Sequence, residues 1–513
     1  MELELQQEHF ACYQALPQLC DTHEETMETI VPDYCPDIAR IVDASGCLFL
    51  RSREITEGKI GVSGTVKMTL LYMAEDTQGI RSLDYSIPVD YALEGRFGKG
   101  VGEVCMEGHI SAPDVRMLNP RKIFTRVTID LCLTLYEPTT LTTCGGIAEK
   151  EAYKIETLCE NHDISLIQGI REKDFVFSEE IVLSSVKEPV RELLRSQCRL
   201  RVTECKSVGN KLILKGVACL DVLYLTDSGV ISQMSSELPF SQIIEGKEDA
   251  GAAIYCDALL RLTGCEMRIG SDNAPDDTHT ISLKLFISAF VVLRQTKSIC
   301  CIADLYSTAY DLNAKSEQIA LSETPELFLR QQMLREQLET GVAVQTILCT
   351  DVTFGNVSVS RNGDGCTLRA TANIKVLYLD ENGSPLLCER RAEVSLDTDI
   401  PAAGRISVRS VCANDIMTSV TAGGIEVRCP VEFTVAAATA PCYPCLMSLS
   451  AEKQENTSLN MPSLVLRALS SGETLWNLAK QYRTTVEDIL KANEMAEEAA
   501  AKVGQLLLIP RKR

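Results

Sequence analysis

The side chains that could do chemistry are few and widely spaced. The five histidines, His9, His23, His109, His162 and His279, share no motif and lie far apart in sequence. Cys442–Tyr443–Pro444–Cys445 is a single CxxC. One such pair supplies two soft ligands, whereas a structural zinc needs four, so a structural or incidental pair is expected and no metal site. The phosphate-cradling, nucleophile-elbow and HExxH patterns are all missing. Acidic residues abound but scatter over polar stretches. The pattern is that of a binding protein, not an enzyme, with no cofactor expected. The sharpest candidate for recognition is Trp476, the one tryptophan of the chain. It reads first as a helix-packing residue and second as an aromatic anchor of the kind enriched at interfaces. Glu473 and Glu494 flank it as helix-end charges that could meet a basic partner.

The elements that must position Trp476 are legible around it. Leu464–Leu466 is long enough for a strand, and Ser470–Ser471–Gly472 is a turn signal. Thr474 can cap a helix whose inner stripe is Leu475, Leu478, Ala479 and Tyr482. Thr485, with Asp488 three residues on, caps a second helix with Ile489, Leu490 and Ala492 inside. Val503–Gly504–Gln505 is a turn, and Leu506–Ile509 a strand stopped by Pro510. The result is a small α+β module, strand–helix–helix–strand.

Gly472–Glu473–Thr474–Leu475–Trp476, Leu478–Ala479, Val486, Leu490, Asn493 and Val503–Gly504–Gln505–Leu506 with Ile509–Pro510 resemble a LysM domain. The resemblance implies a βααβ fold. It also implies binding of N-acetylglucosamine glycans such as peptidoglycan in a groove between two loops. Carried onto this chain, the groove residues are Gly472, Glu473, Thr474, Leu475 and Trp476 on one side and Asn493, Glu494 and Met495 on the other. Glu473 stands where the family has Asp. The second loop, Glu494 to Ala501, reads as extra helix with an acidic edge. Both departures favour a protein partner over a glycan.

The module is a small part of 513 residues, a length that predicts roughly three to four domains. Apolar content of 45% is enough for folded cores. A net charge of −21 argues against nucleic acid and anionic membrane as partners. The first residues, Met1 to Leu5, are acidic and alternating and do not read as a signal peptide. No apolar run approaches the length of a transmembrane segment. A cytoplasmic location is therefore expected, and with it 22 cysteines kept as thiols.

The rest of the chain repeats. Gly64–Tyr72 recurs as Gly216–Tyr224 and as Ala370–Tyr378, with the tyrosines 152 and then 154 residues apart. Each copy is followed by a turn, at Glu75–Gly79, Thr226–Gly229 and Asp380–Gly383. Upstream, Ile38, Ile41 and Val42 fall on Val190, Leu193 and Leu194, and on Val344, Ile347 and Leu348. Alternating apolar and β-branched residues predict mainly β structure. Three tandem antiparallel β-sandwich-like repeats of about 150 residues, at 1–150, 151–308 and 309–450, are expected. A polar linker at 451–463 then leads to the module at 464–513. Short helices are expected at Pro36–Val42 and its equivalents, from the i, i+3, i+4 spacing, and a longer one at Pro325–Leu338, capped by Thr324.

Pro32–Asp33–Tyr34–Cys35–Pro36–Asp37–Ile38–Ala39–Arg40–Ile41, the strand ending in Leu–Tyr and Asn119–Pro120–Arg121–Lys122 resemble the SPOCS family, which is associated with spore coats. Tandem SPOCS units followed by one LysM is the layout of SipL-type spore morphogenetic proteins. That resemblance implies a mother-cell protein, peripheral at the outer forespore surface, that tethers the coat's basement-layer ATPase through LysM. The competing expectation is a peptidoglycan-binding protein acting through the same module.

Overall fold

The computed structural model describes residues 1–511 except 57, 76–78, 98–99, 101, 247–253, 272, 402–403, 454–461 and 497–501. The chain is mainly β. The first unit contains β1 (Glu2–Leu3), β2 (Leu5–Ala15), β3 (Leu19–Ile30), β4 (Ile38–Thr56), β5 (Lys59–Ala74), β6 (Ile80–Glu94), β7 (Glu103–Asn119) and β8 (Lys122–Ile147). Strands β4–β5–β6 form an antiparallel meander, and β3–β8–β7 form the facing layer. Alternation explains the packing. Val62, Val66 and Met68 of β5 point inward to meet Val127, Ile129, Leu131 and Leu133 of β8, all essentially inaccessible. Cys20 and Cys132, directly opposed across β3 and β8, form a disulfide, which corrects the expectation of thiols throughout. Only the strand register brings them together.

The same plan follows twice. The second unit contains β9 (Ile155–Val182), β10 (Val190–Val208), β11 (Lys211–Thr226), β12 (Ile231–Glu245), β13 (Ile254–Ile269) and β14 (Thr280–Ser307). The meander β10–β11–β12 packs Ala218, Leu220, Val222 and Tyr224 against Ile281, Leu283, Leu285 and Ile287 of β14. The third contains β15 (Tyr310–Ala320), β16 (Glu326–Leu338), β17 (Val344–Asn362), β18 (Gly365–Asp380), β19 (Pro385–Thr398), β20 (Gly404–Ala413), β21 (Met417–Thr421), β22 (Gly424–Thr439) and β23 (Cys442–Lys453). Here β17–β18–β19 packs on β16–β22–β20, with Ile374 and Val376 against Val427, Val431 and Phe433.

The helices expected at Pro36–Val42, at its two equivalents and at Pro325–Leu338 fall in strands, for identifiable reasons. Pro32–Asp37 is a turn, and β4 begins at Ile38. Its pairing with β5 shifts register between Ile38 and Arg40 and again between Ile41 and Asp43. The two bulges move the apolar residues out of strict alternation and mimic helical spacing. The same pair occurs at Val190/Glu192 and Leu193/Arg195, and at Val344/Thr346 and Ile347/Cys349. Residues 326–338 pair with β22 along their whole length. Phe328, Leu334 and Leu338 face the core while Leu327, Leu329 and Met333 are exposed, so apolar residues on both faces of one strand imitated a helical stripe.

Three strands outrun the sandwiches. The 26 residues of β8 and the 28 each of β9 and β14 continue as ribbons, β8 with β2 and β9 with β14. A third ribbon is β15 with β23, edged by β1. The ribbons bury Cys144 and Ile147, Ile155 and Ile302, and Cys445, Leu446 and Leu449 together. Cys445 is buried there while Cys442 is exposed, so the two thiols of the CxxC do not share an environment. Strand β23 runs to Lys453, so the first three residues of the expected linker belong to a strand, and 454–461 lie outside the described residues. The meanders meet separately, through Val42 and Leu71, Leu194 and Leu223, and Cys349 and Leu377.

The terminal module contains β24 (Leu464–Ala468), α1 (Leu475–Tyr482), α2 (Val486–Ala492) and β25 (Leu506–Pro510), with β24 and β25 antiparallel.

Candidate functional site

The local chemistry of the module follows its caps. The Thr474 hydroxyl accepts the Asn477 N–H at 3.2 Å, and the Thr485 hydroxyl accepts the Asp488 N–H at 3.1 Å. Each satisfies one of the donors left over in a first helical turn. Arg483 closes α1 in a left-handed conformation. Leu475, Leu478, Ala479 and Ile489 form the core with Leu507 and Ile509 of β25.

The eight expected groove residues divide in two. Several are occupied within the chain. Glu473 accepts from Arg467 at 2.8 Å and from the Ser470 N–H at 3.2 Å. Leu475 is core. Asn493 donates to the carbonyls of Ile489 and Leu508 and accepts the Leu508 N–H, at 2.7–2.8 Å, which ties the end of α2 to β25. Met495 packs half-buried on the module core. Others face solvent. Gly472 and Thr474 are exposed, and a Cβ at Gly472 would meet nothing within 4 Å. Glu494 is exposed in a left-handed turn. Residues 494–496 are turn and bend rather than the extra helix expected from their composition, and 497–501 lie outside the described residues.

Trp476 looks into the chain. Its indole N–H donates to Asp304 at 2.8 Å, and its ring meets Tyr306 edge-on with centroids 4.9 Å apart. Lys480 pairs with the same carboxylate at 2.5 Å, and Arg483 with Asp311 at 2.6 Å. The Tyr306 hydroxyl donates to the Thr484 carbonyl at 2.8 Å and is buried. One face of α1 therefore seats the module on the end of β14 and the start of β15. Burial opposes ionisation of Asp304, but hydrogen bonds from Lys480 and Trp476 outweigh it and hold the carboxyl below its ordinary range. Burial pushes the Tyr306 phenol up. Asp304, Tyr306 and Asp311 carried no sequence signal, because their partners lie more than 170 residues away.

A second constellation joins the two stretches that marked the SPOCS resemblance. Arg121 donates to the carbonyls of Val31 and Cys35 and to the carboxylates of Asp33 and Asp37, at 2.7–3.0 Å. The Pro32–Asp37 turn is thus wrapped around one guanidinium, with Tyr34 projecting into solvent at 86% exposure.

Residues 470–510 match the family model of the LysM domain, and residues 37–103 and 189–267 match that of the SipL, SPOCS domain. The chain carries SPOCS domains and a LysM domain. The SPOCS matches cover the meander β4–β5–β6 and the run β10 to β13. The meander β17–β18–β19 lies outside both matches but repeats their strand order and bulges. No curated protein and no solved structure matches the chain. SPOCS and LysM are binding and adaptor domains, and together they mark a sporulation-related adaptor with a peptidoglycan-binding type of module. Among the described residues no helix is long and apolar enough to cross a membrane, and no cluster of three or more His, Cys, Asp or Glu could hold a metal.

Proposed function

We propose that the protein is a non-enzymatic adaptor of spore coat assembly. It sits peripherally at the outer forespore surface in the mother cell, and its LysM domain tethers the coat's basement-layer ATPase. The working division is three SPOCS units, 1–150, 151–308 and 309–450, a linker at 451–463 and LysM at 464–513. The contact surface is the exposed edge formed by Gly472, Thr474 and Glu494. Glu473, Leu475, Trp476, Asn493 and Met495 act by holding that edge in place. The observation that carries this reading is how the groove side chains are used. Glu473, Thr474 and Asn493 spend their polar atoms on the module's own backbone, and Trp476 spends its donor on Asp304. Little side-chain polarity remains for orienting a sugar, whereas an exposed loop edge suits a protein surface.

The second reading is peptidoglycan binding. The LysM match favours it, as does the open space at Gly472, where a flat ligand can approach the backbone. The test titrates the full chain against the purified ATPase and, in parallel, against peptidoglycan. Saturable ATPase binding that is lost without residues 464–513 and weakened by Glu494→Arg supports the adaptor. Peptidoglycan binding without ATPase binding overturns it in favour of the second reading.

A further inference from the structure

Between the first two units lies a cleft of about 770 Å³, walled by Phe49 of β4 and Phe286 of β14. Two bulges open into it. The β4–β5 register shifts between Leu50 and Ser52, so Arg51 is the extra residue, and the β13–β14 register shifts between Leu262 and Gly264, so Thr263 is. A bulge re-aims the side chain it carries, and both Arg51 and Thr263 line the cleft. Lys67, Arg53 and Arg261 line it too.

The cations are of two kinds. Arg53 and Arg261 share Glu172, at 2.8 and 3.3 Å, and are mostly buried, so they brace the cleft wall. Arg51 is exposed and makes no hydrogen bond or ion pair among the described residues. Lys67 pairs at 3.3 Å with Asp84, both well exposed. Such a pair is worth about 0–1 kcal/mol, so an incoming anion can recruit the ammonium. Asp174 and Glu266 stand on the opposite, second-unit side. The anion-seeking edge thus belongs to the first unit.

That edge is not a property of the repeat. The second unit has Thr203 at the bulge equivalent to Arg51 and Cys219 at the position of Lys67, and the third has Asn373 there. The cleft is lined by four cations, Arg51, Arg53, Lys67 and Arg261, and three carboxylates, Glu172, Asp174 and Glu266, in a chain of net charge −21. A cleft of about 770 Å³ is far larger than a single small anion. That volume suits an extended segment better than a single ion. We infer that this cleft binds an extended acidic peptide segment of a partner protein, with carboxylates at Arg51 and Lys67 and an apolar side chain against the half-buried Phe286. It is a docking site separate from the LysM domain.

The test is fluorescence anisotropy of the full chain with a labelled peptide of four Glu–Leu repeats, against one of four Lys–Leu repeats. The acidic peptide should bind saturably and at least tenfold more tightly. The double variant R51E/K67E, altered only at exposed side chains, should lose at least tenfold, with its thermal midpoint unchanged. T203E, at the equivalent bulge of the second unit, should bind as the parent does. Arg51→Ala alone should weaken binding in the same direction. Equal binding of the two peptides, an unchanged affinity in R51E/K67E, or an equal loss in T203E would each overturn the inference.

Discussion

Arg195 and Asp43 occupy the same position of successive repeats, each just past the second bulge of its meander, and their side chains meet at 2.7 Å in the buried junction of the three units. The third copy of that position is Cys349, whose sulfur accepts from the same guanidinium at 3.1 Å. Asp351 and Lys375 complete the cluster, pairing with Arg195 at 2.6 Å and with Asp43 at 2.9 Å. A symmetric arrangement would set three like groups against one another. Divergence to Asp, Arg and Cys turns that conflict into an ion pair and a thiol acceptor. Burial opposes ionisation of Asp43, but Lys375 and Arg195 overcome it and hold the carboxyl low.

Arg195→Ala removes the cation shared by the buried Asp43 and the mostly buried Asp351. The expected cost is about 3–5 kcal/mol, because Asp43 and Asp351 lose a partner without regaining water. Urea unfolding checks it. Replacing Arg195 and Lys375 by Met together with Asp43→Leu and Asp351→Leu, which leaves no member of the cluster without its partner, should cost clearly less than Arg195→Ala alone. A single-variant loss below about 1 kcal/mol would show that the junction does not depend on this cluster.

Docking of LysM should depend on pH through Asp304. Its carboxyl is depressed in the folded chain, so its contribution is fully present above the unfolded value, about 4. It is lost as pH falls through the lower folded value. Trp476 is the only tryptophan and donates to Asp304, so its emission reports the seat directly. A red shift is expected on acidification below about pH 4, and the same shift at neutral pH in Asp304→Asn. An Asp304→Asn chain with parental emission would contradict the docked arrangement.

Asn493→Ala should destabilise the module by about 1–3 kcal/mol, since the Leu508 N–H and carbonyl lose their shared partner. The readout is an earlier thermal transition in Trp476 fluorescence, with the β units unchanged by circular dichroism. Any loss of partner binding in this variant should follow the loss of fold in temperature. Loss of binding at a temperature where the module is intact would instead make Asn493 a direct contact.

Arg121→Ala should loosen the Pro32–Asp37 turn. The Val31 and Ile38 amides, bonded to the carbonyls of Arg121 and Pro120, should exchange hydrogen faster, by roughly tenfold for about 1.4 kcal/mol of local stability. Equivalent amides of the second unit, Leu183 and Val190, bond to His279 and Thr278 and serve as the internal control.

Much of this was legible in the chain itself. Alternation around Tyr72, Tyr224 and Tyr378 marked three central strands, and Thr474 and Thr485 marked both helix starts to the residue. The helices expected at 36–42 and 325–338 failed for one cause. Bulges at Ile38–Asp43 and two-sided apolarity at Leu327–Met333 both produce helical spacing without a helix. Periodicity reads one segment at a time, and cross-strand pairing is what decides between the two periods.

The sequence by itself determined the repeat, the β character of its units and the strand–helix–helix–strand module, because these depend on residue type within a few positions. Only the tertiary structure decided what the special residues are for. Trp476 faces Asp304 across 172 residues, Arg121 holds a turn 84 to 90 residues earlier, and Asp43 meets Arg195 152 residues on. The physical reason is that a polar or aromatic side chain is defined by its partner. In a protein built from long antiparallel strands, that partner is set by register and by the packing of units, which no local pattern encodes.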